Sequence, residues 1–366
     1  MRRAAFFALL AAAACDVRPA EERALAELEV GVGHSARVDL TVEGGLAAVR
    51  ALVDDAAAGV TRAELWAQAP VLALSVDARA AVTLALTVHN ALPDAELGSV
   101  GAPLAIAPGP VAVRPTTRTF VITLAGRAAR ARAGARRRRA RRPTGSAMAD
   151  IQTALPTVDE VFARIAAVPD VRFVVSMGDL TDRGEVAEYD LFEAQLAALP
   201  VPYYTTLGNH ELWADPARYR DRFGRSSFQF EYRGVAFTFA DSGDAGLDPL
   251  VHGWIDAWLA VAHDRLHLLM THFPPIEPSG ARAGAFRSRH EAMDLLARMA
   301  AGGVDLALYG HIHTLMTYEH AGIPAWISGG GGATQERWDG IGRHFLVVDL
   351  DPGTRTADVG VVRVDP

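Results

Sequence analysis

The sequence predicts an α/β domain with a largely parallel sheet, preceded by a smaller all-β domain. From residue 150 onward, short apolar runs of strand length alternate with helical patterns, which is typical of successive strand–helix–strand units. Residues 25–125 instead show period-two alternation of apolar and polar residues, which indicates half-buried strands. At 366 residues the chain is long enough for two domains with separate cores.

The predicted α/β domain contains five strand-length apolar runs and four helical patterns. Because the two kinds of element alternate along the chain, neighbouring strands are expected to run parallel. The strands are predicted at Val171 to Met177, Val201 to Leu207, Val235 to Ala240, Leu266 to Met270 and Val304 to Leu308, and the helices at 156–167, 185–198, 251–262 and 290–301.

The preceding region predicts a small β-sandwich, because turn residues such as Asn90 and Pro93 separate its alternating runs. It contains no titratable cluster that suggests chemistry, so we expect it to act as a spacer or to shape the substrate site. The alternating runs lie at 38–42, 71–76, 82–88 and 120–124.

The N-terminus predicts an export signal. Arg2 and Arg3 precede the apolar run Ala4–Ala14, which is too short to span a bilayer. The run ends at Cys15, the only cysteine of the chain, in a context that resembles a bacterial lipobox. We therefore expect a lipoprotein of the bacterial cell envelope, anchored to the membrane through lipidated Cys15. Because Ala12 stands where a lipobox usually has leucine, a periplasmic or secreted protein is the alternative.

Residues 126–147 predict a solvated linker between the two domains. Nine arginines lie between Arg127 and Arg142, interleaved with alanine and glycine. A basic patch for anionic lipid or polysaccharide is one alternative. A local reading-frame error is another, because residues 143–149 lack the apolar strand that a parallel sheet needs ahead of Asp150. The whole chain has a net charge of −7, which argues against a nucleic-acid partner.

Polar side chains follow the predicted strands at the point where each strand ends. Asp179 and Asn209 come just after two of these strands, and 29 residues separate Asp150 from Asp179 while 30 separate Asp179 from Asn209. These spacings match one strand–helix–strand unit of roughly 30 residues, so the side chains should meet at one sheet edge. His272, His311 and His313 follow two further strands in the same way.

These residue types predict a metal centre. Carboxylate, amide oxygen and imidazole without thiolate suit divalent zinc, manganese or iron. A bridging carboxylate with imidazoles on both sides is what two metals about 3.5–4 Å apart require, and such a pair lowers the pKa of bound water to roughly 7. The chemistry expected is hydrolysis of a phosphate ester by activated hydroxide.

The order of these segments resembles the calcineurin-like metallophosphoesterases over about residues 148–350. The resemblance implies a four-layer α/β/β/α sandwich. Together with the segments identified above, it sets the expected boundaries at 1–15 for the signal, 25–125 for the β-domain, 126–147 for the linker and 148–366 for the phosphoesterase domain. The segments that match the five family motifs are Asp150-Ile151-Gln152, Gly178-Asp179-Leu180-Thr181-Asp182-Arg183-Gly184, Gly208-Asn209-His210-Glu211, Thr271-His272 and Gly310-His311-Ile312-His313.

The resemblance implies two divalent metal ions, Mn, Fe or Zn, with Asp179 bridging both. It also implies that His210 stabilises the transition state or protonates the leaving oxygen, and that Asp182 and Arg183 position substrate or brace His210. The implied ligands, besides Asp179, are Asp150 and His313 for the first ion, and Asn209, His272 and His311 for the second.

Gln152 departs from the family pattern, which has histidine at this position. Glutamine offers a neutral carbonyl oxygen, a weaker and harder ligand than imidazole. We therefore expect the first ion to bind less tightly than the second and to favour manganese or iron over zinc. An empty first position in an inactive domain is the alternative.

The function predicted is that of an exported phosphatase or phosphodiesterase. A cyclic-nucleotide phosphodiesterase is one alternative, and a non-catalytic surface lipoprotein with a degenerate phosphoesterase domain is another. Trp213 and Tyr219 are expected either to line the cleft or to pack in the interior. The run Gly329–Gly332 lacks the lysine and Ser/Thr of a P-loop, so it predicts a tight turn near the site.

Overall fold

The computed structural model describes residues 19–126, 128–135, 143–280, 284–338 and 340–365. The predicted signal segment with Cys15 lies outside the described residues, as do residues 136–142 of the arginine-rich stretch. Within the described ranges, no helix is both long enough and apolar enough to cross a membrane.

The N-terminal domain is all-β, as predicted, and consists of two five-stranded sheets with the orders β1-β2-β5-β10-β7 and β3-β4-β6-β9-β8. Alternate residues of its strands point into the shared core, which buries the apolar set of each run. The strands are β1 (Val32–His34), β2 (Val38–Val42), β3 (Ala47–Asp55), β4 (Val60–Ala67), β5 (Val71–Ala78), β6 (Ala81–His89), β7 (Ala95–Ser99), β8 (Ala105–Pro108), β9 (Arg118–Ala125) and β10 (Ala129–Ala135).

Strand β10 corrects the linker prediction for residues 129–135. The strand is antiparallel to both β5 and β7, so it lies inside the sheet. Ala131 and Ala133 are buried, whereas Arg130 and Arg132 between them are exposed. Alternating alanine and arginine is thus a strand pattern here, with the methyl groups facing the core and the guanidinium groups facing solvent.

The strand ahead of Asp150 also differs from expectation, because β11 (Thr144–Met148) exists and is central. It is parallel to β12 (Val171–Ser176) and antiparallel to β20 (His344–Asp351), and all five of its residues are buried. Its small side chains fit between neighbours, and the hydroxyl of Ser146 donates to the carbonyl of Leu346 at 3.0 Å. The strand is thus fully buried although Met148 is its only large apolar residue.

The phosphoesterase-like domain has the predicted four layers. Two sheets of order β13-β12-β11-β20-β21 and β14-β15-β16-β17-β19-β18 face each other across an apolar core. Helices α2 and α3 cover the outer face of the first sheet, and α5 and α6 cover that of the second. The remaining strands are β13 (Tyr203–Thr205), β14 (Phe228–Tyr232), β15 (Val235–Ala240), β16 (Leu266–Thr271), β17 (Leu306–Tyr309), β18 (Leu315–His320), β19 (Ile323–Ser328) and β21 (Thr356–Arg363). The helices of the chain are α1 (Pro19–Glu27), α2 (Val158–Ala166), α3 (Val186–Gln195), α4 (Ala217–Phe223), α5 (Pro249–Ala262) and α6 (Arg289–Ala301).

The β-domain is tied to the second domain by buried polar contacts. The Asn90 side chain donates to the carbonyl of Tyr203 and accepts from its N–H, each at 2.8 Å. Arg50 forms a bidentate pair with Glu193 at 2.9 and 3.0 Å and stacks on Trp66. Because Tyr203 belongs to β13, whose end leads to Asn209, the β-domain braces a strand of the site.

Helix α1 docks on the second domain rather than on the sandwich. Arg23 pairs with Asp241 at 2.9 Å and with Asp244 at 2.8 Å. The buried carboxylate of Glu27 accepts from the backbone N–H of Ser226 at 2.7 Å, from its hydroxyl, and from the N–H of Ser227 at 3.2 Å. The segment that follows the predicted signal is therefore part of the folded body.

Candidate metal centre

The predicted metal ligands converge at one edge of the two facing sheets. Asp150 follows β11, Asp179 follows β12 and Asn209 follows β13, at the carboxyl ends of three neighbouring strands of the first sheet. His272 follows β16, and His311 with His313 follows β17 in the second sheet. The six candidate residues therefore lie together where the edges of the two facing sheets meet.

The backbone is strained where it turns into the site. Asp150, Gln152, Asp179 and His311 all have positive φ, between 46° and 69°, although none is glycine. Such conformations cost on the order of 1–3 kcal/mol each, and they persist where surrounding structure fixes them. Their concentration in these loops indicates a functional constraint on side-chain direction.

Glycines allow the loops to approach the carboxylates closely. A Cβ on Gly208 would lie 2.1 Å from Oδ1 of Asp179, and one on Gly329 would lie 2.9 Å from Oδ2 of Asp150. In the glycine run, the N–H of Gly331 donates to the carbonyl of Ala149 at 2.8 Å. The run thus lies near the site, where a side chain on Gly329 would collide with the carbonyl of Ile312 and with Asp150.

Three buried groups form the centre of the site. Asp150, Asp179 and His272 each contribute one ligand atom, and these atoms lie within 4.8 Å of one another. All three residues are fully buried. Oδ1 of Asn209 lies 3.0 Å from Nε2 of His272 and 3.1 Å from Nδ1 of His311, so imidazole and amide ligand atoms face one another beside Asp179.

Backbone carbonyls fix the orientation of three histidine rings. Nδ1 of His272 donates to the carbonyl of Met177, and Nδ1 of His313 donates to the carbonyl of Thr334, both at 2.7 Å. Nδ1 of His210 donates to the carbonyl of Asp182 at 2.6 Å. This leaves Nε2 of each ring directed at a carboxylate, with His272 3.3 Å from Asp179 and His313 3.6 Å from Asp150. A hydrogen bond from the second nitrogen is the usual partner of a metal-binding imidazole.

Asp179 has the electrostatic environment of a cation ligand. Burial raises its pKa, but the charge and hydrogen bond of His272 outweigh burial and hold the pKa below its usual range. Conversely, burial lowers the pKa of His272, but Asp179 raises it to about 9. Among the described residues no Arg or Lys pairs with Asp179. In the metal-free protein, protonated His272 therefore supplies the positive charge beside Asp179. A divalent ion would supply that charge instead, and the donor set fits such an ion.

Gln152 fits a cation site less well. Its side-chain nitrogen donates to Oδ2 of Asp179 at 2.7 Å and lies 3.2 Å from Nε2 of His313. Because Nδ1 of His313 carries its proton, Nε2 of that ring accepts the second amide N–H. An amide nitrogen is a donor and does not bind cations, so Gln152 offers a ligand only if the amide turns to present its oxygen. Following the two ions that the family resemblance implies, we name two sets of candidate ligands. The first metal position is Asp150, Gln152 and His313 together with Asp179, and the second is Asn209, His272 and His311 together with Asp179.

His210 lies beside the metal positions with its Nε2 directed inward, 4.0 Å from Oδ2 of Asp179. Its brace is the main-chain carbonyl of Asp182, whereas the Asp182 carboxylate is 3.8 Å away and pairs with the exposed Arg183 at 3.5 Å. Trp213 stacks on the imidazole at 4.5 Å and keeps its other face exposed. Tyr219, in contrast, is buried and donates to the carbonyl of Thr205, so it belongs to the interior.

Glu211 has a structural role that the sequence did not predict. Its buried carboxylate accepts from the backbone N–H groups of Asp179, Gly208 and Thr181 at 2.7–3.0 Å, and from the Thr181 hydroxyl at 2.9 Å. Burial and the nearby charge of Asp179 raise the pKa of Glu211. Glu211 therefore joins the two loops that carry Asp179 and Asn209. The only sequence signal for this role of Glu211 is its position directly after Asn209-His210, at the end of a predicted strand.

A family model matches the domain that carries these residues. Residues 147–315 match the model of the calcineurin-like phosphoesterase family, so the chain contains a domain of that family, whose members are hydrolases acting on phosphoric esters. No curated protein matches the sequence. The family binds divalent metals, and the buried Asp150, Asp179 and His272 could hold one.

Solved structures are similar to this chain at low sequence identity. A purple acid phosphatase from yellow lupin (Lupinus luteus) seeds has a TM-score of 0.53 at 14% identity, covering 81% of this chain and 70% of that one. A dimetal phosphatase from Danio rerio has a TM-score of 0.47 at 14% identity, with 61% and 99% covered. PhoD has a TM-score of 0.46 at 10% identity, with 81% and 88% covered. At such identities the likeness concerns the fold alone.

Proposed function

We propose that the protein hydrolyses small phosphate esters in a metal-dependent reaction at the cluster of Asp150, Asp179 and His272. The observation that supports it is the burial of two carboxylates and an imidazole within 4.8 Å, beside His210, in a calcineurin-like phosphoesterase domain. When bound, divalent metals polarise the phosphoryl group and lower the pKa of water.

The two metal positions are unequal in this proposal. Asn209, His272 and His311 would hold an ion at the second position with oxygen and imidazole ligands that already face one another. At the first position Gln152 presents its amide nitrogen to Asp179 and His313. We therefore assign the tighter ion to the second position, and a weaker ion, preferring manganese or iron over zinc, to the first.

His210 is the residue that handles the proton in this proposal. Its Nδ1–H is held by the carbonyl of Asp182, so the exchangeable proton resides at Nε2, on the side of Asp179. In the protonated form Nε2 donates a hydrogen bond to the ester oxygen and then transfers the proton as the alcohol departs. Stacking of Trp213 excludes water from one face of the ring.

The test is hydrolysis of p-nitrophenyl phosphate and bis-p-nitrophenyl phosphate by protein purified without chelator. We expect activity that EDTA removes and that manganese, iron or zinc restores; the preferred substrate separates monoesterase from diesterase. Asp179→Asn is the matched variant that tests whether the activity arises at this cluster, because it keeps the size of the side chain and removes its charge. Absence of metal-dependent turnover on both substrates would contradict the proposal and would favour the non-catalytic lipoprotein.

We also propose export and membrane anchoring, on the sequence of residues 1–15 alone. Arg2 and Arg3, the apolar run that follows and Cys15 support this assignment. Labelled palmitate should enter the wild-type chain and not Cys15→Ser, and the variant should leave the membrane fraction. Equal labelling of the two chains would refute lipidation at Cys15.

A further inference from the structure

A cavity of about 610 Å³ opens directly beside His313 of the first metal position. Its volume is within the range of roughly 300–1,000 Å³ that small-molecule sites occupy. Among the residues that the structure describes, the rest of the wall is the segment that follows the glycine run: Thr334, Gln335, Glu336, Arg337 and Trp338.

This segment is held in a fixed relation to His313. The carbonyl of Thr334 accepts from Nδ1 of His313 at 2.7 Å, and the N–H of Glu336 donates to the carbonyl of His313 at 3.0 Å. The side chain of Gln335 donates back to the carbonyls of Ala333 and Gly329 at 2.9 and 3.3 Å. The cavity thus adjoins the candidate site at His313 and offers space beside the first metal position.

Trp338 gives this cavity an unoccupied aromatic surface. The indole is 50% exposed, and among the described residues it has no ring or cation partner. In contrast, Trp213 stacks on His210, and Trp66 meets Phe223 edge to face with Arg50 over its ring. A ligand that covers this indole removes apolar surface from water, and this contributes favourably to the free energy of binding. An aromatic ring gains stacking as well, which an aliphatic group of equal size does not.

We propose that Trp338 selects phosphate esters whose alcohol carries a planar aromatic group, either an aryl alcohol or a nucleoside. The inference rests on the proposed function and specifies its substrate class. In the reaction the oxygen of water bonds to phosphorus, the phosphorus–ester oxygen bond breaks, and the aromatic alcohol leaves with a proton. Trp338 takes no part in this exchange and acts by positioning the alcohol.

Binding of non-hydrolysable phosphonates to the metal-loaded protein tests the inference without turnover. Titration calorimetry compares phenylphosphonate with cyclohexylphosphonate, which has a similar size without an aromatic face. We expect the aromatic ligand to bind on the order of tenfold more tightly. The phosphonate analogue of adenosine 5′-monophosphate is the third ligand: tighter binding than phenylphosphonate assigns the nucleoside, and weaker binding assigns the simple aryl group.

Trp338→Ala should abolish the preference for the aromatic ligand, and Trp338→Phe should retain most of it. Because Trp338 is half exposed, both variants should keep the melting temperature of the wild type. Trp338→Ala should weaken cyclohexylphosphonate, which loses only apolar contact, less than phenylphosphonate, which loses stacking as well. Equal affinities for the two phosphonates in the wild type, or a preference that persists in Trp338→Ala, would overturn the inference. Failure of the proposed function is separate, since it would appear as absence of metal-dependent p-nitrophenyl phosphate hydrolysis.

Discussion

Gln152 donates its side-chain N–H to Oδ2 of Asp179 across 2.7 Å, at the position where the family pattern has a histidine. The same nitrogen lies 3.2 Å from Nε2 of His313. One neutral amide thus satisfies two atoms that would otherwise both face a cation. The amide stabilises the metal-free arrangement and thereby competes with an ion at the first metal position.

Gln152→His should therefore increase metal binding at the first position. Since even outer partners of metal ligands change affinity roughly 10–100-fold, the new imidazole should raise it by at least on the order of tenfold. Metal analysis after dialysis should find more ion per chain in the variant than in the wild type. Gln195→His is the control, because Gln195 bonds the carbonyls of Leu155 and Pro156 instead. Unchanged stoichiometry in Gln152→His would show that the glutamine does not limit occupancy.

His210→Ala should lower kcat on the order of 10²–10⁴-fold, because the group that protonates the leaving oxygen is lost. Metal content should stay unchanged, since Nε2 of His210 is 4.0 Å from Asp179 and is not in the ligand set. The acidic alcohol p-nitrophenol needs less help to depart, so phenyl phosphate should suffer more than p-nitrophenyl phosphate. His263→Ala, at an exposed histidine, is the control. Equal losses on the two substrates would exclude the proton-donor role.

Glu211→Gln should destabilise the loops of the site by about 1–3 kcal/mol, because an amide N–H₂ would face backbone N–H donors that now bond a carboxylate. Urea unfolding measures the loss, and the affinity for metal should fall with it, since Asp179 loses its backbone anchor. Glu231→Gln is the matched control, because Glu231 is half exposed and pairs with Arg265 at 3.2 Å. The control should lose no more than about 1 kcal/mol. Equal stability of Glu211→Gln and wild type would remove the anchoring role from Glu211.

The convergence of the ligands could be predicted from sequence because two regularities coincide. Strands can be identified from apolar runs, and polar residues just beyond parallel strands meet at one edge. The braces could not be predicted, since the carbonyls of Met177, Thr334 and Asp182 hold their histidines through main-chain atoms that every residue possesses.

Residues 129–135 of the arginine-rich stretch were assigned wrongly for a related reason. The composition indicated a solvated linker. The alternation of Arg130 and Arg132 with Ala131 and Ala133 instead fits a strand that pairs with a neighbour on each side. Alanine contributes little burial energy by itself, so only the neighbouring strands β5 and β7 decide the structure of these residues. The same holds for β11, whose small residues are buried because the flanking strands are in place.

Glu27 should make the stability of the protein depend on pH. Burial raises the pKa of this carboxyl to about 7 in the folded protein, from 4.5, against the opposing effect of its hydrogen bonds to Ser226 and Ser227. Below pH 4.5 the group is protonated in both the folded and the unfolded chain and contributes no pH dependence. Between pH 4.5 and about 7 the unfolded chain releases the proton while the folded chain keeps it, so the free energy of unfolding falls as the pH rises.

Glu27→Gln removes this titration and leaves an uncharged side chain of the same size. From about pH 4.5 to 7.5, the stability of the variant relative to the wild type should therefore rise by about 3 kcal/mol, because a difference of one in pKa between the folded and unfolded chains corresponds to about 1.4 kcal/mol. Urea unfolding across this range measures the difference, with Glu21→Gln on the exposed side of α1 as the control. A difference between Glu27→Gln and wild type that stays constant with pH would show that Glu27 is ionised in the folded protein, and that its contacts with Ser226 and Ser227 compensate for burial.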